Sequence, residues 1–303
     1  MGRAPSSPAG RLVMRGRRGA LGGLLLVPLI VLVSGAARRA EAVTFESLTN
    51  PPVELTALLY RPDGAGPFAA MVLLHGCSGI IRTEYGWATE FQKMGYAALI
   101  VDSFRPRGHA EICTDFRRVS RRERVLDAYG ALRWLRAQPF IDARRIGVAG
   151  WSNGGFTVLQ VMDQARERPA DGFRAAVAVY PDCRFDKTTR FYAPLLILIG
   201  GRDDWTPAAS CQELAASGEP RPAPVLLHVY PDAYHSFDNP TAARQYLPNV
   251  ENANKPGGGA TIGHDPAARA DAIARVERFL AAHLKGGGVP MSRTGRTFTS
   301  TGE

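Results

Sequence analysis

The stretch RIGVAGWSNGGFTVLQVM, residues 145–162, reads as a short buried strand that turns sharply into a helix. Gly150 and Gly154 frame Ser152 as G-x-S-x-G. In that pattern a tight turn exposes the serine hydroxyl, and small neighbours avoid clashes between the adjoining strand and helix. Five-residue patterns with three fixed positions recur by chance, so the weight rests on the strand before the serine and the helix after it.

Working outward, short apolar runs bounded by turn residues predict buried strands at AAMVLLHG, AALIVDSF, RIGVAGWS, RAAVAVYPD, APLLILIGG and APVLLHVYPD. Alternation in VELTALLY, Val53 to Tyr60, predicts an earlier antiparallel strand. Helical spacing fills the intervals at EYGWATEFQKMG, RRERVLDAYGALRWLRAQ, NGGFTVLQVMDQAR and SCQELAASG, and again in the closing PAARADAIARVERFLAAHL. Strand alternating with helix implies an α/β class with a mostly parallel twisted sheet and helices on both faces. The expected organisation is a leader at 1–42, one domain at 43–285 and a flexible tail at 286–303. Residues 238–265, with NANKPGGGATIG, fall outside the rhythm as a Gly- and Asn-rich loop, either bordering a pocket or solvated.

Composition bounds the function. The chain of 303 residues is 45% apolar, enough for a substantial core. Its net charge of +9 is concentrated at the start: residues 1–42 carry seven arginines against one acid, leaving 30 basic and 27 acidic residues beyond them. A basic partner-binding surface for nucleic acid is therefore not expected. Arg17 and Arg18, the apolar run Leu21 to Val33 and AEA at Ala40 to Ala42 read as a secretory signal with its cleavage site. Thirteen apolar-rich residues are short for a membrane span. The expected location is periplasmic or extracellular, with no stable membrane insertion after cleavage of the leader. Cys77, Cys113, Cys183 and Cys211 all lie in the exported part, where an even count suggests disulfides, in any of three pairings. No C-x-x-C spacing is present, which argues against zinc or a redox dithiol.

A serine hydroxyl is a poor nucleophile unless a base takes its proton, so Ser152 requires a histidine held by an acid, in the order serine, acid, histidine. LLILIGGRDDWTP places Asp203 and Asp204 in the loop after an apolar strand, and LLHVYPDAYHSFD places His235 in the loop after the last strand. Spacing to Gly200 and Pro207 favours Asp203, with Asp204 and then Asp182 as alternatives. The other histidines fall in a strand (His228), the last helix (His283), an arginine-rich loop (His109) and the 238–265 loop (His264), while His75 reads as shaping a turn. An oxyanion needs donors: the backbone N–H of Asn153 at a helix N-terminus, and that of Cys77, or else Ser78, in the turn after VLLHG. Arg107 is a candidate partner for a substrate carboxylate, the alternative being a solvated arginine beside Arg105.

With LLHGCSG, DSFRPRG, GWSNGG, GGRDDWTPAASC and YPDAYHSFD in view, the chain resembles the exported branch of the dienelactone hydrolase family, over nearly all of the mature region. The resemblance implies an α/β-hydrolase fold and carries over Ser152, Asp203 and His235 as a triad. It departs in having serine where dienelactone hydrolase proper has a cysteine nucleophile. GWSNGG also resembles the elbow of secreted polyester hydrolases and cutinases, which match DSFRPRG and the cysteine placement less well. The sheet order implied by the family makes the strands before Cys77 and Cys113 neighbours, and likewise those before Cys183 and Cys211, so the implied disulfides are Cys77–Cys113 and Cys183–Cys211. The expected activity is hydrolysis of a small ester or lactone without metal or organic cofactor. A noncatalytic binding protein on the same fold is the reading from another class.

Overall fold

The computed structural model describes residues 40–285 apart from 167, 171, 187, 217–222 and 256. Residues 1–39 of the leader expected at 1–42, and all of the tail expected at 286–303, lie outside the described residues. Eight strands form one mixed sheet: β1 (Glu41–Glu46), β2 (Glu54–Tyr60), β3 (Phe68–Leu74), β4 (Ala97–Asp102), β5 (Ile141–Trp151), β6 (Ala176–Val179), β7 (Leu195–Gly200) and β8 (Val225–Tyr230). Their spatial order is β1-β2-β4-β3-β5-β6-β7-β8. β2 runs antiparallel to β1 and β4, and every other pairing is parallel.

Side-chain pattern explains each strand's place. Every residue of β4 and β7 is buried, so both faces of the sheet are covered there. β2 alternates, with Leu55, Ala57 and Leu59 inward and Glu54 and Thr56 outward, as suits a strand near the edge. β1 was not expected; it buries only Phe45 fully, too little for an alternation signal, and it begins at Glu41, inside the expected leader boundary.

Five main helices connect or follow the strands: α1 (Arg82–Lys93), α2 (Arg121–Arg136), α3 (Asn153–Met162), α4 (Ala208–Ala216) and α5 (Pro266–Leu284). α2 starts at a capping box, where the Ser120 hydroxyl accepts the Glu123 N–H at 3.2 Å and the Glu123 carboxylate accepts the Ser120 N–H at 2.7 Å. α5 starts with Asp265 accepting two N–H groups and with Pro266 at its first position. Among the described residues no helix is long and apolar enough to cross a membrane.

The parallel strands end nearly level. Leu74 pairs with Gly150, Trp151 with Val179, and Gly200 with Tyr230. That register brings the turn at Cys77, the turn at Ser152 and the loops of Asp203 and His235 to one edge, where ligands of open α/β sheets bind. The same edge carries both disulfides, Cys77–Cys113 and Cys183–Cys211, in the pairing the resemblance implied. They close 36- and 28-residue separations, each contributing about 4 kcal/mol in a chain-entropy account.

Candidate active site

Ser152 sits between the last residue of β5 and the first of α3 with φ 54° and ψ −117°. A non-glycine residue at positive φ is uncommon and persists only where its surroundings enforce it. The enforcement is visible at Gly154: a Cβ there would lie 2.0 Å from the Leu74 carbonyl oxygen, so only glycine lets α3 approach the end of β3 this closely. The Ser152 N–H donates to the Val179 carbonyl at 2.9 Å, which ties the turn to the neighbouring strand.

The structure brings together three of the residues singled out above. His235 Nε2 lies 2.9 Å from Ser152 Oγ, and its Nδ1 lies 2.7 Å from Asp203 Oδ2. With Nδ1–H donating to the carboxylate, Nε2 is left as acceptor for the serine hydroxyl. The imidazole is buried between the rings of Tyr180 and Trp205, 4.5 and 4.8 Å away, so it cannot swing. Asp203 Oδ1 accepts the N–H groups of Trp205 and Thr206 at 2.9 and 2.8 Å, and the Thr206 hydroxyl lies 3.0 Å from Oδ2.

The competing aspartates have other partners. Asp204 accepts the Thr261 N–H at 2.7 Å, with the Thr261 hydroxyl at 3.2 Å. It thereby anchors the 238–265 excursion, which contains a two-stranded hairpin of β9 (Gln245–Leu247) and β10 (Ala260–Ile262). The excursion is fastened further by Asn252 to the Asp204 carbonyl and by the Trp205 indole to the Glu251 carbonyl, both at 2.9 Å. Asp182 is engaged by Arg184 at 2.6 Å. Among the remaining histidines, His264 is held by the Phe237 carbonyl at 2.8 Å, and His228 stands beside Asp271.

Asn153 is the first residue of α3, so its N–H has no intrahelical acceptor. The Cys77 N–H, in the turn after β3, has no protein acceptor among the described residues. His75 is buried in that turn, its Nδ1 2.8 Å from the Gly76 carbonyl and its Nε2 accepting the Ser103 N–H at 3.2 Å. Burial and the neighbouring Arg124 hold its pKa down at about 3, so the ring stays neutral.

Arg107 departs from expectation. Its guanidinium donates to both oxygens of Asp127 at 2.9 and 2.8 Å and lies 3.3 Å from Glu123, with little of the side chain exposed. Two acids of α2 occupy it, so it is neither solvated nor presented to a ligand. Three other arginines border the cavity, Arg117, Arg121 and Arg184, and the Arg121 guanidinium stacks 4.2 Å over the Phe156 ring.

Ser152 opens into a cavity of about 460 Å³, walled by Asn153, Phe116, Phe156, Trp205 and Arg121, with Glu251 and Asn254 contributed by the excursion. A larger hollow of about 1030 Å³ lies between the β1–β2 turn and α2, lined by residues such as Leu48, Val53 and Tyr129, and none of Ser152, Asp203 and His235 lines it. Among the described residues no group of three or more His, Cys, Asp or Glu side chains is placed to hold a metal ion.

Sequence reading missed Asp238. It is buried three residues after His235 and accepts from the Trp87 indole at 2.6 Å, the Trp151 indole at 2.8 Å and the Tyr180 hydroxyl at 2.6 Å. Burial pushes its pKa up. Trp151 directly precedes Ser152, so this carboxylate links the histidine loop to the serine turn. An aspartate inside HSFDNP was the available signal, and its partners lie up to 151 positions away.

The sequence profile of the dienelactone hydrolase family matches residues 55–284. The chain belongs to the dienelactone hydrolase family. It is 23% identical over 193 residues to a probable 2-oxo-3-(5-oxofuran-2-ylidene)propanoate lactonase of a Bradyrhizobium species, covering 60% of this chain and 78% of that protein. It is 34% identical over 116 residues to a thiohydrolase of Aspergillus aculeatus, covering 38% of this chain but only 35% of the relative. A dienelactone hydrolase-like promiscuous phosphotriesterase from metagenomic libraries superposes with a TM-score of 0.60 at 19% identity, covering 82% of this chain and all of that one. The family is one of hydrolases acting on small molecules, and the eight-stranded sheet is its fold.

Proposed function

We propose that this member of the family is an exported serine hydrolase that cleaves carboxylic esters or lactones through an acyl-enzyme on Ser152. The reading rests chiefly on the hydrogen-bonded chain from Ser152 Oγ through His235 to Asp203 at 2.9 and 2.7 Å, with the serine at the wall of a cavity. The lactonase relative supports the substrate class, and two disulfides support an oxidising compartment.

In acylation, His235 Nε2 takes the hydroxyl proton as Ser152 Oγ bonds to the substrate carbonyl carbon. The carbonyl oxygen becomes an anion that accepts from the N–H groups of Asn153 and Cys77, and the N-terminus of α3 favours its charge. Asp203 keeps Nδ1–H in place and stabilises the imidazolium. Collapse of the intermediate breaks the carbon–oxygen bond to the leaving alcohol, which receives the proton from Nε2. Water then attacks the acyl carbon, gives its proton to Nε2, and Ser152 Oγ leaves with that proton restored. In a lactone the leaving alcohol remains part of the acyl group, and the second step releases a single hydroxy acid.

The test is a fluorophosphonate probe combined with p-nitrophenyl acetate. Label mapping to Ser152, together with Ser152→Ala lowering kcat by several orders of magnitude in a folded protein, is the expected result. A wild-type protein that neither takes the label nor turns over any ester or lactone would favour a noncatalytic binding protein instead.

A further inference from the structure

One buried cation has no part in the steps above. Arg124, the fourth residue of α2, is 1% exposed. A guanidinium is rarely buried this completely without an acid beside it. The nearby acid of its own helix, Asp127, is taken by Arg107, and among the described residues Arg124 makes no ion pair. Its hydrogen bonds go to two uncharged oxygens. Nη1 donates to the side-chain oxygen of Asn153, and Nη2 donates to the His75 carbonyl at 2.7 Å. Among the described residues its Nε has no acceptor, and the guanidinium carbon lies 5.0 Å from the centre of the Phe104 ring.

Those two oxygens belong to the two segments that carry the oxyanion donors. Asn153 bears one donor N–H, and His75 stands two residues before Cys77, which bears the other. The segments are remote in sequence, and besides Arg124 they meet where β3 pairs with β5 and in the close approaches at Gly76 and Gly154. An oxyanion hole works only when both N–H groups lie about 2.7–3.1 Å from one point, and small displacements weaken both bonds together. A planar fork with fixed nitrogen spacing is suited to setting such a separation, which a flexible lysine is not.

Taking Ser152 as the nucleophile, we propose that Arg124 is the positioning residue of the oxyanion hole, holding the Cys77 turn and the first residue of α3 at the separation the tetrahedral intermediate requires. The cation also places positive charge behind both donors in a site shielded from water. Burial lowers its pKa to about 10, which leaves it charged at neutral pH.

The experiment uses the disulfide-bonded protein and the variants Arg124→Met, Arg124→Lys and Asn153→Ala. It measures kcat and KM on p-nitrophenyl acetate, the affinity for phenylboronic acid, which adds to the serine hydroxyl as a tetrahedral anion, and the melting temperature. Arg124→Met should lower kcat by about 10²-fold with KM changed by less than roughly threefold, and should weaken the boronate in parallel. Arg124→Lys, which keeps the charge but cannot span both oxygens, should fall between. If Arg124→Met fails to fold, Asn153→Ala carries the test: it keeps the guanidinium and the donor N–H but releases one end of the clamp, and should lower kcat about tenfold at unchanged KM. Lower melting temperatures with kcat and boronate affinity within about twofold of wild type would overturn the proposal, because a purely structural arginine behaves that way. A rise in KM alone would overturn it too. Wild-type protein inert to ester and boronate alike would defeat the Ser152 reading itself, whereas an active wild type with an equally active Arg124→Met defeats only the clamp.

Discussion

Two buried regions lie within a few residues of each other on the same strands. In the stem of the sheet, Met71, Val72, Leu73, Ile100, Val148 and Ile197 are fully or almost fully buried and carry no polar atoms. At and just beyond the strand ends the burial is nearly as complete, but the side chains are His75, Asp102, Ser103, Asp203 and His235, joined by Glu84, Arg124, Asp127 and Asp238 from neighbouring elements. Stem residues contribute through apolar area and volume, and a neighbour of similar size can replace one of them at modest cost. Groups in the polar layer are costly to bury and are retained only with matched partners, so each demands one geometry. The stem therefore supplies stability that is indifferent to chemistry, and the layer supplies geometry that stability alone does not require.

The largest effect should come from the layer. Asp203→Asn preserves shape but removes the charge that holds the Nδ1–H tautomer, and kcat should drop by about 10⁴-fold with little change in melting. Asp204→Asn should leave kcat within about tenfold, because its carboxylate serves Thr261 rather than His235. Steady-state kinetics on both variants checks this, and a greater loss in Asp204→Asn would move the acid one residue along the chain. The converse comes from the stem. Leu73→Ala should cost about 2–5 kcal/mol of stability by urea titration while the folded enzyme keeps its kcat, and a large kcat loss would show that the two regions are not separable.

A smaller effect sharpens the comparison by finding a layer residue whose burden falls on stability. Glu84, buried at the start of α1, accepts the Ile81 N–H at 2.9 Å and faces the Gly76 N–H at 3.4 Å, yet burial raises its pKa from 4.5 to about 7. Between those values the folded protein keeps a proton that the unfolded chain releases. Stability should therefore fall as pH rises from about 4.5 to about 7, by up to about 3 kcal/mol, and level off above. His75, held down at about 3 against 6.5, acts in the opposite sense, with stability gained as pH rises through that window. Melting curves of wild type and Glu84→Gln across pH 5 to 8 isolate the glutamate, since His75 is common to both. The variant should lose less stability toward neutral pH, and parallel curves would refute the assignment.

Much of the layer was legible because it lies at strand ends. The positions of Ser152, Asp203 and His235 follow from where apolar runs stop, and their order along the chain matches the geometry found. The partners of Arg107 and Asp238 were not legible. Arg107 looked like a loop arginine free to meet a ligand, but α2 brings Asp127 and Glu123 against it. Asp238 gathers Trp87 and Trp151 across separations of 151 and 87 residues, and no local pattern encodes such a meeting. β1 escaped notice because an edge strand with one buried side chain leaves almost no alternation to read.

By itself the sequence determined what short-range physics controls: which segments are strands and helices, the serine turn that needs glycine on both sides, and the order of Ser152, Asp203 and His235 along the chain. Tertiary structure alone decided which acids take Arg107, which arginines border the cavity, and how Arg124 and Asp238 are satisfied. A strand or a turn is selected by forces acting over a few residues. The pairing of a buried charge depends on which distant segments the sheet register brings within hydrogen-bond reach, and that register exists only in the folded chain.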